Sequence, residues 1–207
     1  MLFQDDHLVI VDKPRGVLVV SAPGRRQPTL VDILRGQVGG RIDAVHRLDE
    51  DTTGVLVLVR DDASRSGMED LFRRHAIERR YLALITAAPT PPAGCIEARL
   101  REDEAGVMRV VARGGETAIT HYESRERRGR CTLVECWLET GRRNQIRAHM
   151  AALGCPVAGD RKYGYRSRPG ESFSRTMLHS WRIAFRHPVT GNDVTASCEA
   201  PEPDLHS

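Results

Sequence analysis

The stretch HRLDEDTTGVLVLVR, residues 46–60, sets three acids behind a His-Arg pair and in front of an apolar run. Carboxylates so placed can serve as nucleophiles or as general acids and bases. Gly54 permits a tight turn, and Thr52 and Thr53 can bond loop amides. One acid can then be held at the rim of a cleft while its neighbours face water. Asp49 is the candidate for that place, and Glu50 and Asp51 read as solvated acids. Aspartate carboxyls ordinarily ionise near pH ~3.9, so an anionic nucleophile is available at neutral pH. A nearby guanidinium would orient it. Arg147, in RNQIRAHMAALG, can do so if the fold brings the two together, which spacing alone does not decide.

Other chemistries find less support. GVMRVVARGG and GGRIDA match neither a phosphate-binding loop nor the dinucleotide fingerprint. The eight histidines form no H-E-x-x-H pair, and His149 has no histidine one turn away on its predicted helix. The five cysteines are odd in number and scattered, which argues against a disulfide framework. Cys131 and Cys136, at odd spacing in an alternating strand, point to opposite faces and read as packing residues. Nucleotide cofactors are therefore not supported, and a metal site is not expected.

Composition sets the class. With 40% hydrophobic and 29% charged residues, the 207-residue chain reads as an ordinary globular protein with a substantial core. No apolar run reaches 18 residues, and the acidic N-terminus lacks the cationic start of a signal peptide, so a cytoplasmic location is expected. Of the 31 basic residues only Lys13 and Lys162 are lysines. The other 29 are arginines, which suits phosphate and base contacts, although a GC-rich genome gives the same bias. The clusters at Arg73-Arg74, Arg79-Arg80, 125–130, 142–147 and 161–168 weigh more than the total.

The elements that must position these residues follow from periodicity. HLVIV (7–11) and VLVV (17–20) read as strands around a Pro-Gly turn, and TLVDILRGQ as a helix capped by Thr29 and closed by Gly39 or Gly40. Residues 61–77 predict an amphipathic helix capped by Asp61 or Asp62, with Met68, Leu71, Phe72 and Ala76 on one face. Strands follow at 79–87, 95–100, 108–112, 117–126 and 131–139. A second helix is capped by Asn144, ends at Gly154, and has Ile146, Met150 and Leu153 on its apolar face. Two closing strands flank VTGND, and PEPDLHS is expected to fray. Strands outnumber helices without alternating with them. The class is therefore α+β: one domain, 1–207, with a largely antiparallel, mixed sheet flanked by helices.

Five blocks in order resemble the RluA family of pseudouridine synthases. HRLDEDTTG is similar to its H-R-L-D-x-x-T-S/T-G signature, DDHLVIVDKPRGVLV to its N-terminal strand and N/D-K-P-x-G, and RRYLALI to its K-x-Y-x-A strand. ETGRRNQIRAHMAALGCPVAGDRKYG resembles its T-G-R-x-H-Q-I/L-R-x-H block, and LHSWRIAFRHPVTG its L-H-A-x-x-L-x-F-x-H-P segment. The resemblance implies the pseudouridine synthase fold and the isomerisation of uridine to pseudouridine in ribosomal or transfer RNA, without cofactor. It implies Asp49 as nucleophile, Tyr81 against the target base, and Arg147 as partner of the catalytic aspartate. It places Arg47, Arg142, Arg143, Asn144, Gln145 and Ile146 toward the RNA, with the target uridine out of its stack. Leu82 and Ile146 are candidates for an apolar wall.

Asn144 stands where the family has His, Arg143 replaces a small or basic residue, and Arg79 replaces Lys. With no S4-like RNA-binding segment before the catalytic block, the resemblance implies a stand-alone catalytic domain, expected to be a monomer. Two rivals remain: an idle RNA-binding domain, and a hydrolase that releases uracil, for which Glu50 and Asp51 are poorly spaced partners.

Overall fold

The computed structural model describes residues 1–169 and 173–201. The expected fraying of PEPDLHS falls almost wholly outside them. The architecture is the α+β arrangement expected, with strands dominating three short α-helices among the described residues. The chain divides into two compact units: Met1–Arg79 with Ser180–Ala200, and Arg80–His179.

In the first unit, β1 (Phe3–Gln4), β2 (Leu8–Lys13), β4 (Thr53–Val59) and β10 (Leu178–Arg186) are successive neighbours. β3 (Asp43–Ala44) lies on β4, and β11 (Asp193–Ser197) pairs antiparallel with β10. β2 and β4 run antiparallel from Leu8 opposite Val59 to Lys13 opposite Gly54. Every residue of β4 is buried, as its unbroken apolar run demands of a strand covered on both faces. Leu8, Ile10, Val55, Val57 and Val59 share a core with Met68 and Leu71 of α2 (Asp62–Arg73) and with Ile183, Phe185, Val194 and Ala196.

The Asp61 carboxylate caps α2 by accepting from Ser64 N at 2.7 Å. The helix ends at Arg73, short of the expected Ile77, and His75 turns the chain at φ 55°. Ala76 therefore falls beyond the helix and is exposed, and it is no part of the apolar face. The expected strand at 17–20 is also absent. The carbonyls of Leu18 and Val19 instead accept from Leu30 N and Val31 N at 2.8 and 3.3 Å. Those amides open α1 (Leu30–Val38) and have no partner within the helix, so the apolar segment serves a helix start rather than a ladder. Thr29 caps α1 in a reciprocal pair with Asp32, and Gly39 closes it, as expected.

In the second unit the order is β5 (Glu78–Ile85), β9 (Cys131–Leu138), β8 (Glu116–Arg128), β6 (Ala93–Glu102), β7 (Met108–Val111), each pair antiparallel. α3 (Gln145–Ala152) packs against β6, β7 and β8, with Ala148 in a cluster of Leu100, Val107, Met108, Ala118 and Tyr163. Ile146 and Met150 are buried as expected. Leu153 is 38% exposed, because the helix stops one residue earlier. Cys131 and Cys136 are both buried thiols, and burial pushes the Cys136 thiol far up. That is the packing role their strand implied.

Candidate active site

In the first unit Asp49 sits on the loop between β3 and β4, half-buried, above the buried side chain of Leu48. Its carbonyl accepts from Thr52 N at 3.1 Å, closing a turn over Glu50 and Asp51. The loop is held from below by Lys13, the last residue of β2. Its side chain has no solvent exposure, and Nζ donates at 2.9 Å to each of three carbonyls: Pro14, Glu50 and Thr52. Three donors meet three acceptors, so a buried cation fixes the backbone on both sides of Asp51. Burial pushes the Lys13 ammonium down to about 8, against the charges of Asp51, Asp49 and Glu50, which favour the cation. Gly16 N adds a further bond to Glu50 O at 2.9 Å.

The N-terminal side of the loop is pinned by His46. Its Nε2 accepts from Val57 N at 3.0 Å, which places the ring proton on Nδ1, and its ring leans on Phe72 at 4.9 Å. Burial, with the nearby Arg79 charge, pushes His46 down to about 3, so the ring is neutral. Gly54, the second residue of β4, has φ +110°, and any Cβ there would fall 2.1 Å from Ser180 O of β10. Arg47, between His46 and Leu48, is exposed.

In the second unit Tyr81 lies on β5 opposite Cys136, with 8% of its surface exposed. Arg147, in the first turn of α3, is gripped by Asp160: Nε to Oδ2 at 2.6 Å and Nη2 to Oδ1 at 2.8 Å. Its guanidinium lies over the Tyr163 ring, 4.8 Å from the centroid, and Nη1 donates to Asn144 Oδ1 at 3.3 Å. Such a two-pronged pair sets the plane of the guanidinium as well as its place.

Asn144 occupies the capping position of α3 but makes no side-chain cap bond. Its backbone is left-handed, φ 52°, and its amide donates to the Tyr163 hydroxyl at 3.1 Å. Gln145 ties down the helix start. Its Oε1 accepts from Thr140 Oγ1 and Arg142 N, and its Nε2 donates to Ile119 O and Thr120 Oγ1, all at 2.8–2.9 Å. With that amide fully used and 2% exposed, Gln145 supports the segment from within, as does buried Ile146. Arg143 is exposed, paired with Glu102, and Arg142 is half-buried between Glu116 and Thr117 O. His149 is buried with Nδ1 at 2.9 Å from Thr120 Oγ1, and burial pushes it down to about 4.

Lys13, His46, Asp160 and Tyr163 are the supports that spacing did not single out. The one signal for Lys13 in the sequence is its rarity, as one of two lysines beside 29 arginines. Among the described residues no three His, Cys, Asp or Glu side chains are grouped to hold a metal ion, and no helix is long and apolar enough to cross a membrane.

Residues 7–152 match the RNA pseudouridylate synthase family. The chain is 34% identical over 221 residues to ribosomal large subunit pseudouridine synthase D of Zymomonas mobilis, with 98% of this chain and 69% of that protein covered. It is 36% identical over 209 residues to the uncharacterized RNA pseudouridine synthase YlyB of Bacillus subtilis, with 97% and 68% covered. Human RNA pseudouridylate synthase domain containing 4 matches with a TM-score of 0.77 at 27% identity over 97% of this chain and 88% of that one. Human RNA pseudouridylate synthase domain containing 1 gives 0.80 at 25%, over 97% and 82%.

Proposed function

Because the chain belongs to the RNA pseudouridylate synthase family, in its RluA-type branch, and is an isomerase of uridine in RNA, we propose that it acts on ribosomal RNA with Asp49 as nucleophile. The names of its bacterial relatives support ribosomal over transfer RNA. The observation that supports the role of Asp49 is the Lys13 clamp: a fully buried ammonium holds the two carbonyls on either side of Asp51, in the turn that Asp49 opens. A nucleophile set in this way needs little reorganisation on meeting its substrate.

The target uridine leaves its stack, at a cost of a few kcal/mol, because both C1′ and C6 are hidden in stacked RNA. The C1′–N1 bond breaks with Asp49 assisting, by attack at C1′ or C6 or by a glycal route. The uracil turns, C5 bonds to C1′, and the C5 proton departs with Tyr81 beside the base. Atoms balance as an isomerisation, and no co-reactant is consumed. Arg147, preset by Asp160 and Tyr163, supplies the fixed positive charge of the reaction, while Arg47, Arg142, Arg143 and Asn144 meet the RNA. The chain is read as a single catalytic domain, a monomer in the cytoplasm.

Ribosomal RNA labelled with tritium at uridine C5 tests this reading. Tritium should be released with no free uracil. Free uracil would instead identify a glycosidic hydrolase, and no release from ribosomal or transfer RNA would identify a binding protein.

A further inference from the structure

Glu50 is not the idle solvated acid that its sequence suggests. Its carbonyl is fixed by Lys13 Nζ and Gly16 N, and its carboxylate reaches across to the guanidinium of Arg25. Arg25 sits at the end of a turn built to present it. Pro23 and Gly24 occupy the centre, Gly24 has φ +77°, and Arg25 N donates to Ala22 O at 3.1 Å. This is a type II pattern, with Pro then Gly at the two central positions. The segment 14–28 contains Arg15, Arg25 and Arg26 and no acid, a charge of +3 that equals the formal net charge of the whole chain. The carboxylate set against this turn comes from the residue next to Asp49.

We propose that Arg25 is a phosphate ligand for the RNA strand beside the target nucleotide, and that Glu50 holds its place until the RNA arrives. A phosphodiester of the RNA backbone offers the guanidinium the same paired oxygens and the same single charge as the carboxylate, and its neighbouring phosphates add to the attraction. The exchange is easy because both side chains are substantially exposed, 42% and 33%, and exposed ion pairs are weak. It also leaves Asp49 undisturbed. The backbone of Glu50 is pinned at its carbonyl, so only the side chain need swing away. The residue after the nucleophile thus orients a cation for the backbone of the nucleotide that the nucleophile attacks.

This inference rests on the RNA reading above and is tested by binding, with tritium release by the unaltered protein measured in parallel. If that release fails, the RNA reading fails whatever the binding data show. An unmodified large-subunit ribosomal RNA transcript is titrated with the full chain across a series of salt concentrations. Arg25→Ala should weaken binding severalfold and make the log–log salt slope shallower by about 0.7–0.9, the loss of one phosphate contact. Glu50→Gln should tighten binding, and this gain should vanish in the Arg25→Ala background. Asp51→Asn removes the same charge one residue on and controls for long-range repulsion. An unchanged slope in Arg25→Ala overturns the proposal. So does a gain from Glu50→Gln that persists without Arg25 or is matched by Asp51→Asn, since either makes Glu50 a general repulsion rather than a placeholder. Thermal melts confirm that each variant is folded.

Discussion

The ammonium of Lys13 lies 2.9 Å from the carbonyl oxygen of Thr52, sealed from solvent, and joins the end of β2 to the turn that carries Asp49. The strand register sets Lys13 opposite Gly54, so the side chain reaches back under the loop and not along the sheet. Replacing Lys13 with Met leaves the Glu50 and Thr52 carbonyls without their cationic donor in a buried place. A loss of about 2–4 kcal/mol in stability is expected, together with a fall in kcat larger than any change in KM. Lys13→Arg should not rescue, because the planar fork cannot address three carbonyls around one point. Denaturation and steady-state kinetics decide it, and normal stability and kcat in the Lys13→Met protein would remove the clamp from the account.

The same lysine gives an alkaline signature. Its folded pKa, about 8, lies below the ordinary 10.5, so between these values the unfolded chain binds more protons than the fold. Linkage then makes this group's contribution to stability rise with pH across the window. The neutral amine has two donors for three carbonyls, so the turn loosens there. Turnover should fall above about pH 8 while global stability does not, as parallel rate and melting profiles would reveal. A kcat that stays flat through the whole window would contradict it.

His46 predicts the opposite end of the scale. Its folded pKa, about 3, is depressed from 6.5 because the desolvated ring stays neutral and accepts from Val57 N. The unfolded ring takes up a proton first, so this contribution is complete above pH 6.5 and is lost as pH falls toward 3. His46→Leu should lower neutral-pH stability by about 1–3 kcal/mol, the cost of an unsatisfied buried amide. It should also flatten the acid limb relative to the native protein. If both proteins share one acid limb, the neutral histidine is not its cause.

Gly54 has no tolerated replacement. An alanine there combines φ +110° with a Cβ 2.1 Å from Ser180 O, where backbone must move. Destabilisation of more than about 3 kcal/mol is expected, well beyond the usual range for a surface change. Chemical denaturation of Gly54→Ala checks this, with Gly36→Ala, in open space on α1, as the mild comparison.

Arg147 and Asp160 form a nearly buried pair, 12% and 1% exposed. Asp160→Ala strands a guanidinium, with an expected loss of about 3–5 kcal/mol. Asp160→Asn keeps the shape but loses the paired charge and should lower kcat without abolishing it. Tritium release by the two variants separates a positioning role from a merely structural one. Equal kcat in Asp160→Asn and the native chain would leave Asp160 with packing alone.

Asp49→Asn should abolish tritium release and leave RNA binding nearly intact, whereas Asp51→Asn should lose little turnover. Retained turnover in Asp49→Asn would remove Asp49 from the chemistry.

Sequence alone determined what local rules govern. The Thr29 and Asp61 caps, the continuous apolar run of β4, the alternating strands of the second unit and the α+β class all follow from periodicity and capping, which depend on neighbours within a few residues. The order and types of the five motif blocks likewise identify the family. Tertiary structure decided where each polar group finds its partner. The segment 17–20 has the composition of a strand, yet its carbonyls are taken by α1. Asn144 has the type of a cap, yet a left-handed backbone turns it to Tyr163. Clustered arginines are held by acids far away in sequence, as Arg143 is by Glu102 and Arg142 by Glu116, and so is Arg25 by Glu50. Lys13 meets carbonyls about forty residues on. Hydrogen bonds and ion pairs act over a few ångströms whatever the sequence separation, so only the folded chain reveals that, of three adjacent acids, Glu50 is the one pinned at its carbonyl by Lys13 and paired at its carboxylate with Arg25.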